Sequence, residues 1–451
     1  MDKYFLLDSE IAKRLYFDVA ADLPIVDYHN HLPIKDLADN RRYENISEVW
    51  LINDPYKHRA MRIMGVDEKY ITGNSDGYSK FEKWCQIHPL LMGNALYHWS
   101  EIELKEYFGI DIPLNIDNAS KIWNLANEKI KEEEFSALNL LRKKKIEYAA
   151  PCVGLLDDLS LFDSISELHP SLRGDSIINA TPSFVKELGI LTNTDTSSLN
   201  GFIAAIHTRL DDFEKYGCFF PDMALDAGFK YYPNDGKNQE RFKTFIKGEI
   251  NPLDFEILQS EFLRILAMEY SKRNWLMQLH VGALRKTSTR LRTISGPAGG
   301  YAGIGNSMDI KSIVLFLDDL DSMGFLPKTQ IYTLNPNDHA MVSVLSGSFS
   351  EDGISAKVTE GPAWWWCDHY QGMREMLEYY TYYSVLSSFT GMTTDSRSIL
   401  SMQRHDYFRR VLCQWIGEKV ASGEFPNDFS LLSKIVKRIS YENASNLIRN
   451  K

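Results

Sequence analysis

The chain is poor in the features that mark a protein for an oxidising compartment, a membrane or a nucleic acid. Among 451 residues there are five cysteines, Cys85, Cys152, Cys218, Cys367 and Cys413, scattered and without CxxC spacing. That argues against a disulfide framework and a cysteine-built zinc site, so reduced thiols in a cytoplasmic protein are the expectation. No run approaches the ~20 apolar residues that cross a bilayer. The first eight residues meet charge before any apolar stretch long enough for a signal peptide. No membrane association is therefore expected. Basic residues are outnumbered, 50 against 61 acidic, for a net charge of −11. Such a surface repels a phosphate backbone, which argues against a nucleic-acid partner. Also missing are Pro-rich or Gly/Ser linkers and any repeat at the ~20–50-residue periods of solenoids.

What is present is ordinary in amount: 44% hydrophobic and 25% charged residues, the balance of a globular protein. The length allows two to four domains of roughly 100–200 residues, or one large barrel carrying insertions. The recurring pattern is a short apolar run, a loop and a longer helix-like stretch. Strand candidates lie at 24–29, 148–153, 176–180, 217–221, 275–281, 330–334, 355–359 and 389–394, with helical stretches such as 255–271, 310–323 and 372–386 between them. The runs are continuous rather than alternating, as parallel strands covered on both faces should be. Eight such units predict an α/β fold, a distorted (β/α)8 TIM-type barrel. The long gap after the first strand is helical in pattern. Residues 33–145 are therefore expected to form a helical insertion or cap, and 1–32 with 146–451 the barrel. The charge runs at 131–134 and 142–145 fit solvated helix faces.

Barrel chemistry sits at the C-terminal ends of strands. The first candidate ends in Asp27-Tyr28-His29-Asn30-His31. Residues two apart on a strand share a side, so both imidazoles can face one point. The fifth ends at His280 and the eighth in Thr394-Asp395-Ser396-Arg397. If the barrel closes, Asp395 neighbours His29 and His31, and two imidazoles with a carboxylate suit a divalent metal, Zn²⁺ or Mn²⁺. Arg173, Arg285 and Arg397 sit in loops beside strand candidates, where guanidinium forks could take a carboxylate substrate or form ordinary surface salt bridges. Trp364, in a Trp-Trp-Trp run, could cover a sugar face or belong to the core.

These motifs, together with Tyr56-Lys57-His58-Arg59, Leu279-His280-Val281-Gly282-Ala283-Leu284-Arg285, Gly361-Pro362-Ala363-Trp364-Trp365 and Arg404-His405-Asp406-Tyr407-Phe408, resemble the uronate isomerase (glucuronate isomerase) family of the amidohydrolase superfamily almost end to end. The resemblance implies a (β/α)8 barrel with a helical insertion. It also implies an aldose–ketose isomerase converting D-glucuronate to D-fructuronate and D-galacturonate to D-tagaturonate. By the same resemblance His29, His31 and Asp395 hold the metal. Arg397 and Arg173 contact the hexuronate, and His280 lies near the metal or a substrate hydroxyl. Asp395 could also accept a proton.

Two departures stand out. Where the family shows Asp-His-Tyr-Lys-Trp, this chain reads Asp54-Pro55-Tyr56-Lys57-His58, so the usual histidine is lost at Pro55. One expectation is that Tyr56 or His58 takes over the proton shuttle; the other is that His58 merely packs. Where the family has an aspartate–histidine pair, the chain has Asp222-Met223, one imidazole fewer. Two alternatives remain open: a metal-dependent hydrolase of an acidic sugar derivative, and a non-catalytic uronate-binding homologue. A homo-oligomer also remains open.

Overall fold

The computed structural model describes residues 2–449. Its centre is a seven-stranded parallel sheet: β1 (Ile25–Asn30), β2 (Ile146–Gly154), β3 (Ser171–Arg173), β4 (Asp222–Leu225), β5 (Met277–Val281), β6 (Thr329–Thr333) and β7 (Val358–Glu360). Neighbours in the sheet are neighbours in the chain, in the order β1 to β7. Every residue of β1, β4, β5 and β6 is buried. Both faces are thus covered, which is why these strands read as unbroken apolar runs.

Helices fill the crossovers. Pro252–Lys272 starts with Asn251 accepting from the Asp254 N–H and with proline in the first turn, a pairing that satisfies an orphan donor where proline needs none. Ile310–Ser322 and Tyr370–Tyr383 agree closely with the expected stretches. Between β1 and β2 the described residues form helices only, the longest being Ala95–Phe108 and Ala119–Ile130. These pack back on the chain's far end: the Tyr107 hydroxyl donates to the Ile399 carbonyl, and Ser398 to the Val49 carbonyl, both at 3.2 Å. At their heart the Lys57 ammonium is buried between Asp54 at 2.7 Å and Glu103 at 3.4 Å. No helix is long and apolar enough to cross a membrane among the described residues.

Three strand expectations need correction. Residues 176–180 are not a strand: a helical turn, Asp175–Ile178, follows the true strand Ser171–Arg173. Ile177 and Ile178 are buried either way, and a short apolar run cannot tell a buried turn from a strand. Residues 217–221 run beside β5, with Leu276 N–H donating to the Phe219 carbonyl, but pairing as a strand begins only at Asp222. Pro221, with no N–H to give, ends the approach. Residues 389–394 form no strand. Gly391 at φ 90° bends the segment, and a Cβ there would stand 2.1 Å from the Ile439 carbonyl oxygen. The segment still lies against β1: Asp395 N–H donates to the His29 carbonyl at 3.1 Å and His31 N–H to the Ser396 carbonyl at 2.9 Å.

Candidate active site

A buried carboxylate ties the two ends of the chain together. Asp27, fully buried in β1, accepts from the Thr394 N–H at 2.7 Å, the Thr394 hydroxyl at 2.8 Å and the Thr393 hydroxyl at 3.1 Å. His405 Nε2 lies 3.0 Å from it and Asn30 Nδ2 2.9 Å. The next residue after Thr394 is Asp395, held at φ 45°, a left-handed conformation uncommon for a side chain with a Cβ. That turn aims its carboxylate back at β1. His29 Nε2 stands 3.2 Å and His31 Nε2 3.1 Å from the same oxygen, Asp395 Oδ1. The other oxygen, Oδ2, is buried and accepts no hydrogen bond among the described residues.

More donors surround this core than the sequence suggested. Cys152, near the end of β2, donates to Asp222 Oδ1 at 3.2 Å, leaving its sulfur 3.5 Å from His29 Nδ1. Asp222 Oδ2 and both ring nitrogens of His280 are buried and make no hydrogen bond among the described residues, Asp222 Oδ2 standing 3.8 Å from His280 Nδ1. The His280 ring lies 4.4 Å from those of His29 and Tyr332 and 4.7 Å from Trp364. Two sets of potential ligand atoms lie within 4.8 Å of one another, His29/His31/Cys152 and His29/Asp222/His280. Met223, the next residue along β4, faces away and packs at Gly174. The imidazole lost there is not missing from the cavity floor.

Electrostatics sort these groups. Burial, reinforced by the positive His29, holds His280 well below an ordinary histidine, and burial takes His31 down to about 3 against the pull of Asp395. Burial also opposes charge on His29, but Cys152, Asp395 and Asp222 outweigh it and raise its pKa. Burial likewise opposes charge on Asp395, yet hydrogen bonds from the two imidazoles keep it ionised.

The cationic side is mixed. Arg173 lies in the site, 3.4 Å from His31 Nε2, with Asp175 at 2.8 Å and Asp222 at 4.0 Å. Arg397, half-buried, has neither a hydrogen bond nor an ion pair to any described residue, and burial lowers its pKa. Arg285 is instead paired with Asp226 at 2.8 Å, its guanidinium 5.8 Å from the Trp365 ring.

Tyr56 and His58 part company. The helix Pro55–Ile63 begins at Asp54, whose carboxylate accepts from the Tyr56 and Lys57 N–H groups. Residues two apart on a helix point about 200° apart. Tyr56 therefore turns to Asp368, donating to its Oδ2 at 2.8 Å, while His58 Nε2 meets the Leu51 carbonyl at 2.9 Å. His58 is thus not brought into the cluster around Asp395, and burial lowers it to about 4. Asp368 is a further residue that sequence reasoning missed. Burial, only partly offset by Arg404 and Tyr56, raises its carboxyl to about 6. Arg404 lies over the Trp99 ring at 3.9 Å and reaches both Asp368 at 3.5 Å and the Thr394 carbonyl at 3.4 Å. A cavity of about 250 Å³ opens beside Tyr56, Trp99 and Asp368.

A parallel α/β sheet whose C-terminal edge gathers imidazoles, carboxylates and an arginine without a partner among the described residues defines the class: an α/β protein with side chains able to hold a divalent cation and to meet a small anion. Comparison with known proteins narrows this. The family model described as glucuronate isomerase matches residues 1–448. A uronate isomerase of Mannheimia succiniciproducens is 39% identical over 459 residues, covering 98% of each chain. The crystal structure of a Thermotoga maritima uronate isomerase superposes with a TM-score of 0.92 at 29% identity over 99% of both chains. That of a Caulobacter crescentus glucuronate isomerase gives 0.92 at 20% identity over 100% of this chain and 97% of the other. The chain belongs to the glucuronate isomerase family and is an isomerase of uronates.

Proposed function

We propose that the chain interconverts D-glucuronate with D-fructuronate, and D-galacturonate with D-tagaturonate, by proton transfer between C1 and C2 through an enediolate, at the cluster of side chains around Asp395. The observation that carries this reading is a buried carboxylate with a free oxygen, set between two imidazoles and beside an unpaired arginine. In architecture the reading takes 389–394 as the eighth stave of a distorted (β/α)8 barrel and 33–145 as its helical cap. Five cysteines outside any disulfide, four of them buried, agree with a cytoplasmic setting.

The residues fit a divalent metal. Unpartnered polar atoms buried at Asp395, Asp222 and His280 each cost about 1–3 kcal/mol unless something binds them. Two imidazoles and a carboxylate are the donor set of Zn²⁺ or Mn²⁺. His29, His31 and Asp395 would hold the ion, with His280 beside it. When bound it would polarise the carbonyl and hydroxyl oxygens of the sugar as a Lewis acid. Cys152, itself bonded to Asp222, would keep His29 turned with Nε2 toward the site by engaging Nδ1.

The chain's own groups account for the rest. Isomerisation moves one proton from C2 to C1 and one from O2 to O1. Asp395 Oδ2 would carry the carbon proton. Tyr56, kept protonated because burial raises its pKa, would relay the hydroxyl proton, its oxygen held by Asp368. Arg397 and Arg173 would orient the substrate, one clamping the C6 carboxylate and so selecting uronates over neutral sugars. Trp364 and His280 would shape the wall, with Arg285 at the rim. The test is incubation of purified protein with D-glucuronate and D-galacturonate, with and without a chelator, while ketose is followed. Metal-loaded protein that forms ketose from neither sugar would overturn the reading.

A further inference from the structure

A second hollow, of about 500 Å³, opens at the opposite edge of the sheet. Phe219, Leu276, Lys328 and Lys357 line it, each just ahead of a strand, at β4, β5, β6 and β7 respectively. At ~3.3 Å per residue, the length of β5 and β6 separates it by roughly 15 Å from the site at their far ends. Its charge is of one sign. Lys328, Lys357 and Arg438 contribute to the lining and no aspartate or glutamate does, in a chain where acids outnumber bases 61 to 50.

Lys357 has a carboxylate partner in Glu351. The other two cations have none among the described residues. Lys328 Nζ donates to the Ser355 carbonyl at 2.7 Å and Arg438 Nε to the Ser387 carbonyl at 3.1 Å. Two ammonium hydrogens and the terminal guanidinium nitrogens are left over. Burial, and the neighbouring Lys357, push the Lys328 ammonium below its usual pKa. Like charges gathered in a partly dry hollow raise one another's energy, and an anion is the species that lowers it. The volume exceeds what inorganic phosphate fills and suits a small organic anion.

We infer that this hollow is a second ligand site, for a small organic oxyanion, carboxylate or phosphate, held by Lys328, Arg438 and Lys357. The ligand would act on stability or regulation, since no reacting group lies there. The inference does not depend on the isomerase reading.

The test uses full-length, metal-loaded protein carrying Arg397→Met, so that anions gain nothing from the first site's free arginine. Inorganic phosphate and malonate serve as probes at matched ionic strength, with unfolding midpoint and calorimetric affinity as readouts. At 100-fold excess over Kd, either probe should raise the midpoint by about 3 °C. Comparison of the two affinities shows which oxyanion chemistry the site prefers. Adding Lys328→Met and Arg438→Gln should abolish the rise, and Arg438→Gln alone, an exposed change that leaves folding intact, should weaken binding at least ten-fold. In the otherwise unaltered chain these changes should leave turnover of glucuronate as it was. No rise with either probe, or the same rise and affinity in the variants, overturns the inference.

Discussion

Replacing Tyr56 by phenylalanine removes the hydroxyl that faces Asp368 and leaves its packing against Trp99 and Trp366 intact. The lost bond is a buried hydroxyl donating to Asp368 at 2.8 Å, and such a bond to a charged group is worth about 1.5–3 kcal/mol. A proton relay that depends on it should lose about 10²–10⁴ in kcat. KM should move little if the substrate is clamped, as proposed, by Arg397 or Arg173. On the proposed relay Asp368 acts on the reaction through this hydroxyl. Asp368→Asn should therefore lower kcat in the parent and cost almost nothing further in Tyr56→Phe, a non-additive cycle. The assay is steady-state ketose formation from D-glucuronate, with metal content measured on each variant so that loss of the ion is not mistaken for loss of the relay. A Tyr56→Phe enzyme turning over within three-fold of the parent would refute the reasoning, as would additive effects of the two changes.

Four further outcomes follow from the geometry. Arg397→Met should raise KM for glucuronate by roughly 10–150-fold, the loss of a charged hydrogen bond, with a smaller change in kcat; an unaltered KM would assign the clamp elsewhere. Cys152→Ala should weaken metal affinity by about 10–100-fold in competition with a chelator while Cys152→Ser largely restores it; equal affinities in all three would remove Cys152 from any part in orienting His29. His58→Gln should leave turnover at the parent level, because that ring faces Leu51 rather than the substrate; a large kcat loss in folded protein would restore it to the shuttle. Asp368 is raised from 3.8 to about 6, so between those values the folded chain binds the extra proton and the parent loses stability as pH rises, by at most about 3 kcal/mol. The stability difference between parent and Asp368→Asn should shrink over that window, and a flat difference in denaturant titrations would contradict the shift.

Much of this was legible in the sequence because it is local. The His29-Asn30-His31 triplet, His280 and Asp395-Ser396-Arg397 all sit where a strand or its successor ends, and the rule that catalytic groups follow strands finds them. The same rule points to Cys152, near the end of β2, but an isolated thiol carries no motif. Asp222 opens β4 rather than ending a strand, and in the sequence it draws notice only as the neighbour of Met223. Asp368 gives a weaker signal, a carboxylate two residues past the Trp364–Trp366 run, and only Tyr56 from the other end of the chain gives it meaning. The third and eighth strands failed for a different reason. Three residues at Ser171–Arg173 are too short for periodicity to register, and the segment at 389–394 is bent by a glycine whose φ no composition reveals. His58 was drawn toward the site by its spacing from Pro55, whereas its helix turns it away.

The knot of bonds at Asp27 has a consequence for how the protein is made. Its partners Thr393, Thr394 and His405 lie 366 to 378 positions downstream. Contacts over such separations form late, because the loop must close before they reward it. A nascent chain leaving the ribosome thus holds its histidine pair for most of synthesis without the carboxylate that gathers it. If an ion binds there as proposed, its binding in the mature manner would report that translation has passed Asp395, and a product ending before that residue would be inert however well its earlier segments had folded.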